Sequence, residues 1–204
     1  MAPSSTTLMK RIFPALLLCF GIAFSACQKE LSYEVDRGNT GGSGGSGSNG
    51  GGSSSGYYIK GKKDGTAFNF TTYPMATTIN AAGNMMVSIN ANAAMPNTSL
   101  ESIALSISFN NGTTLATGTY AENDGSMDHI VMGVYNPNSM TTAWAAGMNP
   151  TPAKPLKIVI SAKSSSEISG TFEGSFYKED LTGGSISQTD AITFTEGEFK
   201  VPVK

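Results

Sequence analysis

Between Met85 and Ala91 every second residue is apolar, with Met86, Ser88 and Asn90 set between Met85, Val87, Ile89 and Ala91. Ile103, Leu105, Ile107 and Phe109 repeat the pattern around Ala104, Ser106 and Ser108. A strand sends successive side chains to opposite faces, so this period buries one face and wets the other; a helix would space its apolar residues three and four apart. Leu156, Ile158, Ile160 and Ala162 form a third such row, and Ile192 and Phe194, then Phe199, Val201 and Val203, form the last ones. No stretch after Gly56 carries an apolar stripe at helical spacing over ten or more residues. The pattern predicts an all-β fold.

Turn chemistry separates the rows. Lys63-Asp64-Gly65, Asn110-Asn111-Gly112 and Thr182-Gly183-Gly184 supply the residues that accept the positive φ of tight hairpins. Pro96, Pro137, Pro150, Pro152 and Pro155 fall between rows, where a missing N–H leaves no ladder incomplete. The long connection from Asn136 to Pro155 contains TTAWAAG, read as a short strand around Trp144. In EISGTFEGSFY, Ile168, Gly170, Phe172, Gly174 and Phe176 share a face. Alternating large and absent side chains suit a bent central strand crossed closely by another chain. The turn spacing predicts an antiparallel β-sandwich or partly closed β-barrel of roughly eight to ten short strands.

This β region spans 57–204, and a different composition precedes it. From Gly38 to Gly56 every residue is Gly, Ser, Asn or Thr, which leaves no apolar surface to bury and predicts a flexible linker. The 29 residues from Gln28 to Gly56 reach on the order of 30 Å as a random coil.

The first 26 residues read as a secretion leader. Lys10 and Arg11 precede an apolar run of twelve residues, Phe13 to Phe24, followed by the small Ser25 and Ala26. A spanning helix needs roughly 20 residues, so cleavage is expected rather than retention. Phe24-Ser25-Ala26-Cys27 resembles the lipobox of bacterial lipoproteins, with Phe where Leu is commoner. The resemblance implies a diacylglycerol on the Cys27 thiol, cleavage before it and acylation of the new amino terminus, which together satisfy the need for more than one membrane signal. Residues 27–56 are then the lipidated Cys27 and its linker. Cys19 leaves with the leader, so the mature chain has one cysteine and no internal disulfide. Lys29, Glu30, Glu34 and Asp36 resemble the charged signal that sends Bacteroidetes-type lipoproteins to the outer face of the outer membrane.

Within 57–204, GTYAEND from Gly118, ISGTFEGSF from Ile168 and ITFTEGEFKVPV from Ile192 resemble small Bacteroidetes-type lipoprotein domains without an established activity. That resemblance implies fold and location only.

Chemistry is sparse. The one histidine, His129, sits next to Asp128, and adjacent strand residues face opposite ways, so the two make a poor dyad. No nucleophile elbow accompanies His129, and it reads as a strand-entry residue. Asn123, Asp124 and Asp128 lack the spacing of a calcium loop and read as a polar turn. No Cys/His cluster for zinc and no Gly-rich loop opening a helix for phosphate is present, so no cofactor or metal is expected. With the leader gone, eleven basic side chains face fifteen acidic ones, without a basic cluster, which argues against nucleic acid. Aromatic residues remain as the handle on binding: Tyr57, Tyr58, Tyr73, Tyr120, Tyr135, Trp144 and Tyr177. Trp144, Tyr120 and Tyr135 are the candidate ligand-binding residues, as a stacking platform for a glycan or protein ligand; the competing reading is half-buried strand aromatics. The expectation is a membrane-anchored, non-enzymatic binding or structural module of the outer membrane. The alternative is a lipocalin-like carrier of a small apolar ligand, its cavity lined by some of the ten methionines.

Overall fold

The alternating segments pair into one open antiparallel sheet of eleven strands, with no helix among the described residues. The computed structural model describes residues 56–204 apart from 82, 97 and 111; the expected leader, the expected lipidation at Cys27 and the expected linker as far as residue 55 fall outside the described residues. The strands are β1 (Tyr58–Lys63), β2 (Thr66–Phe70), β3 (Thr72–Ala81), β4 (Asn84–Asn92), β5 (Ser102–Phe109), β6 (Gly118–Ala121), β7 (His129–Asn136), β8 (Thr142–Ala146), β9 (Lys157–Lys163), β10 (Glu167–Asp180) and β11 (Ser185–Pro202). Eleven replaces the expected eight to ten. β3 carries little alternation, because only Ala76 of its ten residues is buried.

Turn residues act where their conformations are required. Asp64 and Gly65 both have left-handed φ, 47° and 79°, as a two-residue hairpin between β1 and β2 demands. The expected tight hairpin at Asn110-Asn111-Gly112 includes residue 111, outside the described residues, and the flanking strands do not pair with each other. β5 pairs with β7 rather than with the next strand, so this segment opens a longer connection.

β10 is the hinge of the architecture. One edge pairs with β11 along most of its length. The other edge is divided: Ile168–Glu173 pairs with β9, and Tyr177–Asp180 pairs with β8. The sheet therefore forks at Gly174, one branch running β9–β6 and the other β8–β7–β5–β4–β3. The branches then face each other, as the edge-to-face contact of Phe109 on β5 with Tyr120 on β6 at 5.4 Å shows. At the far end β3 returns to the chain terminus through one parallel bridge, Ala76 to Val203. The result is sandwich-like, approaching closure without a closed ladder.

The glycines of β10 make this crowding possible. A Cβ on Gly174 would lie 2.6 Å from the backbone of Leu156, and one on Gly133 of β7 would lie 2.5 Å from the Phe176 ring. The interior is filled by side chains, with Phe109, Phe176, Phe194, Phe199, Leu105 and Leu156 all at or below 1% exposure. Each such burial stabilises the fold by about 1.5–3 kcal/mol. Outside, cross-strand pairs such as Lys60–Glu198 at 2.9 Å and Lys62–Glu196 at 2.7 Å lie on the surface, where solvent screening leaves them little weight in stability.

Candidate functional site

Trp144 is placed by a short strand between two restrained connections. Asn136 Oδ1 accepts the Ser139 N–H at 3.1 Å, and Ser139 Oγ accepts the N–H groups of Thr141 and Thr142 at 3.2 and 3.1 Å. These side-chain bonds close the turn that reverses β7 into β8. β8 then pairs on both edges, Trp144 lying opposite Tyr135 of β7 and opposite Lys178 of β10. Thr142, two residues before Trp144, lies opposite Asp180. Alternation puts Thr142, Trp144, Lys178 and Asp180 on the same side of the sheet as the buried Tyr135, and the half-buried indole packs against the core at the end of that side.

Beside this row is a depression of about 390 Å³ lined by Thr142, Lys178, Asp180, Ser185, Ile186 and Ser187. Asp180 is partly committed: its Oδ1 accepts the Thr182 hydroxyl at 2.6 Å and the Thr182 N–H at 2.9 Å. Those bonds, the hydroxyl's first, hold its carboxyl below the usual carboxylate range. Lys178 Nζ stands 3.5 Å from Asp190.

On the other flank Tyr135 joins groups far apart in the chain. Its hydroxyl donates to Glu101 Oε1 at 2.6 Å and accepts from Lys63 Nζ at 2.5 Å. Burial, and then the bond to the Glu101 carboxylate, hold the phenol proton on well above the ordinary range. Tyr135 is therefore a fixed donor and not a base. Its ring is 2% exposed, packed edge-on against Phe194 at 5.5 Å, and only its hydroxyl reaches the polar rim.

The three aromatics singled out from sequence do not form one platform. Tyr135 and Trp144 are cross-strand neighbours, whereas Tyr120 packs edge-on against His129, at the opposite end of β7. Six residues of strand, about 20 Å, separate the two places. Tyr120 is also occupied, its hydroxyl bonded to both N and O of Ala116 at 3.0 and 2.9 Å. Tyr177 is buried, and its hydroxyl accepts the Ala153 N–H at 2.6 Å.

His129 opens β7, as a strand-entry residue should. Its close acid is Asp124, not the adjacent Asp128, with Nε2 and Oδ2 3.1 Å apart but off the line of a good hydrogen bond. Asp124 also caps its own turn, Oδ1 accepting the Ser126 N–H at 2.8 Å. Among the described residues no hydroxyl bonds His129, and no three His, Cys, Asp or Glu side chains gather in a form that could hold a metal ion.

One buried acid escaped the sequence reading. Glu122 is 7% exposed and ties the proline-rich connection to the fold, its Oε2 accepting the Leu156 N–H at 3.0 Å and its N–H donating to Leu156 O at 2.8 Å. Among the described residues Oε1 has no hydrogen-bond partner. Burial raises its pKa above the ordinary 4.5, and the nearby amides of Leu156 and Gly147 offset part of that rise. A raised folded-state pKa favours the neutral form, so the stability it brings is present below pH 4.5 and lost as pH rises through the folded value. Glu122→Gln removes that titration, so the variant's stability relative to the parent is expected to increase between pH 4 and 7 in paired urea unfolding curves; a flat difference would contradict it.

Comparison with protein-family models, curated proteins and solved structures returns no match for this chain.

Proposed function

We propose that the chain is a lipoprotein of the outer membrane, held by acyl chains at Cys27, whose β domain acts without catalysis by binding a hydroxyl-rich ligand of the glycan class on the face around Trp144. One observation carries this reading: the indole of Trp144 rests on the core yet stays half-exposed, and its cross-strand neighbour Lys178 lines a depression with Thr142, Asp180, Ser185 and Ser187. An aromatic surface for the apolar face of a sugar ring, next to hydroxyls and fixed charges for its hydroxyl groups, is the chemistry such ligands need. The side-chain-filled interior supports a surface site over a carrier's cavity. The Gly/Ser tract supplies reach between lipid and domain.

Trp144 is the sole tryptophan in the sequence, so its emission reports on this face alone. Titration with neutral oligosaccharides (β-glucan, α-mannan and N-acetylglucosamine oligomers) is expected to give a saturable change in that emission, and calorimetry on Trp144→Ala is expected to show binding lost. No response up to about 10 mM, where an interaction is worth less than about 3 kcal/mol, would contradict the proposal, as would undiminished binding by Trp144→Ala.

A further inference from the structure

The sheet has three edge strands, and they are not alike. β2 and β6 are five and four residues long, which limits what can pair with them. β3 has ten residues. Its first half is closed: Tyr73, with a left-handed φ of 49°, and Pro74 form a bulge between Thr72 and Met75, and Lys204 N–H donates to Ala76 O at 2.9 Å. The second half, Thr77 to Ala81, has no charge, no proline and no bulge, the devices that usually keep an edge unpaired.

Backbone direction follows from the Lys204 bond. Lys204 approaches Ala76 O from the side away from β4. A residue's N–H and C=O point the same way and alternate along a strand, so Thr78 and Asn80 also turn both groups outward. Both residues are exposed, and among the described residues nothing pairs with that edge. Ile79, between them, is 46% exposed.

We infer that Thr77–Ala81 is a self-association edge, whose occupant is the same segment of a second copy running antiparallel. A two-fold axis at Ile79 sets Thr78 opposite the partner's Asn80 and Asn80 opposite the partner's Thr78. Those two hydrogen-bonded pairs supply four backbone bonds. Ile79 then meets the partner's Ile79 in the close, non-hydrogen-bonded position, each covering the other's apolar surface. The row continues inward on both copies through Met86, Ser108 and Ile130, residues opposite one another on β3, β4, β5 and β7. Ile130 is itself 49% exposed. The segment is its own complement about Ile79: self-pairing brings no like charges together along Thr77–Ala81, and it sets the one large apolar side chain of the segment against its own copy. The seam is small, which makes the pairing concentration-dependent rather than obligate. Four strands separate β3 from β10 in the sheet, so the face around Trp144 stays free.

The test uses the full chain, expressed in a Gram-negative host and extracted in mild detergent. Sedimentation velocity is expected to show average mass rising toward two chains with concentration. Ile79→Lys, which opposes two ammonium groups at the axis, is expected to remain monomeric with an unchanged far-UV spectrum. Ile79→Cys is expected to form a disulfide-linked dimer in the host membrane on oxidation, since the opposed Cβ atoms fall within bridging distance. The unsubstituted chain and Thr66→Cys, on the β2 edge, are expected to link about tenfold less. Monomer at every concentration without linkage of Ile79→Cys overturns the inference, whether or not Trp144 binds sugar. Association that survives Ile79→Lys overturns it equally, by assigning the contact to another surface.

Discussion

Phe194→Ala is expected to remove about 3–5 kcal/mol of folding free energy. Phe194 is 1% exposed and joins the parts of the fork: its ring meets Phe68 at 5.6 Å, Tyr135 at 5.5 Å, Phe172 at 6.1 Å and Phe176 at 4.7 Å. Those four rings come from β2, β7 and β10. Truncation therefore leaves a hole that no single strand can close by shifting, and the cavity adds to the lost transfer energy. A domain of this size has about 5–15 kcal/mol in total, so the variant is expected to keep its fold with a much lower urea midpoint. Met140→Ala, at a side chain 84% exposed, is the control and is expected within about 0.5 kcal/mol of the parent. A loss at Phe194 no larger than the control's would mean the rings are not packed as described.

The second large effect concerns a side chain that is absent. Gly170 sits where β9 and β11 both press on β10: a Cβ there would lie 1.9 Å from Val159 O and 2.6 Å from the Phe199 ring. The first contact is with backbone and has no rotamer to change, so Gly170→Ala must displace β9 or open its pairing. The expected cost is about 3 kcal/mol, at the upper end for overpacking. Gly184→Ala separates this from a simple change of glycine. Gly184 has a left-handed φ of 65° with no atom within 4 Å of the added Cβ, and only backbone strain of about 1 kcal/mol is expected there. Equal urea midpoints for the two variants would remove close approach as the reason for glycine in β10.

Both effects are partly legible in the sequence. Glycines alternating with Ile168, Phe172 and Phe176 point to a bent, closely crossed strand, and β10 is that strand, pairing with β8, β9 and β11. Rows with one wholly buried face, as in β4 and β5, can be read directly from their period. β3 cannot, because an edge strand with one buried residue carries almost no pattern. The two closing rows of the chain are a single strand, β11; left-handed Glu196 bends it where Gly197 passes against Phe172. The surface around Trp144 was legible as one aromatic in a short strand. Its companions were not: Lys63 and Glu101 lie 72 and 34 residues from Tyr135 in sequence, and no local spacing signals a meeting made by strand order. Asp124 likewise reaches His129 because the turn folds back, a meeting that the adjacency of Asp128 to His129 in sequence does not signal.

What the domain can bind depends on where it is held, and attachment at Cys27 is the claim on which that rests. Mass spectrometry of the intact chain from a membrane fraction tests it most directly. The expected species begins at Cys27, lacks residues 1–26 and carries the added mass of a diacylglycerol and an amide-linked acyl chain. A chain recovered with a free Cys27 thiol, or released into the periplasm or medium after cleavage at another position, would contradict it.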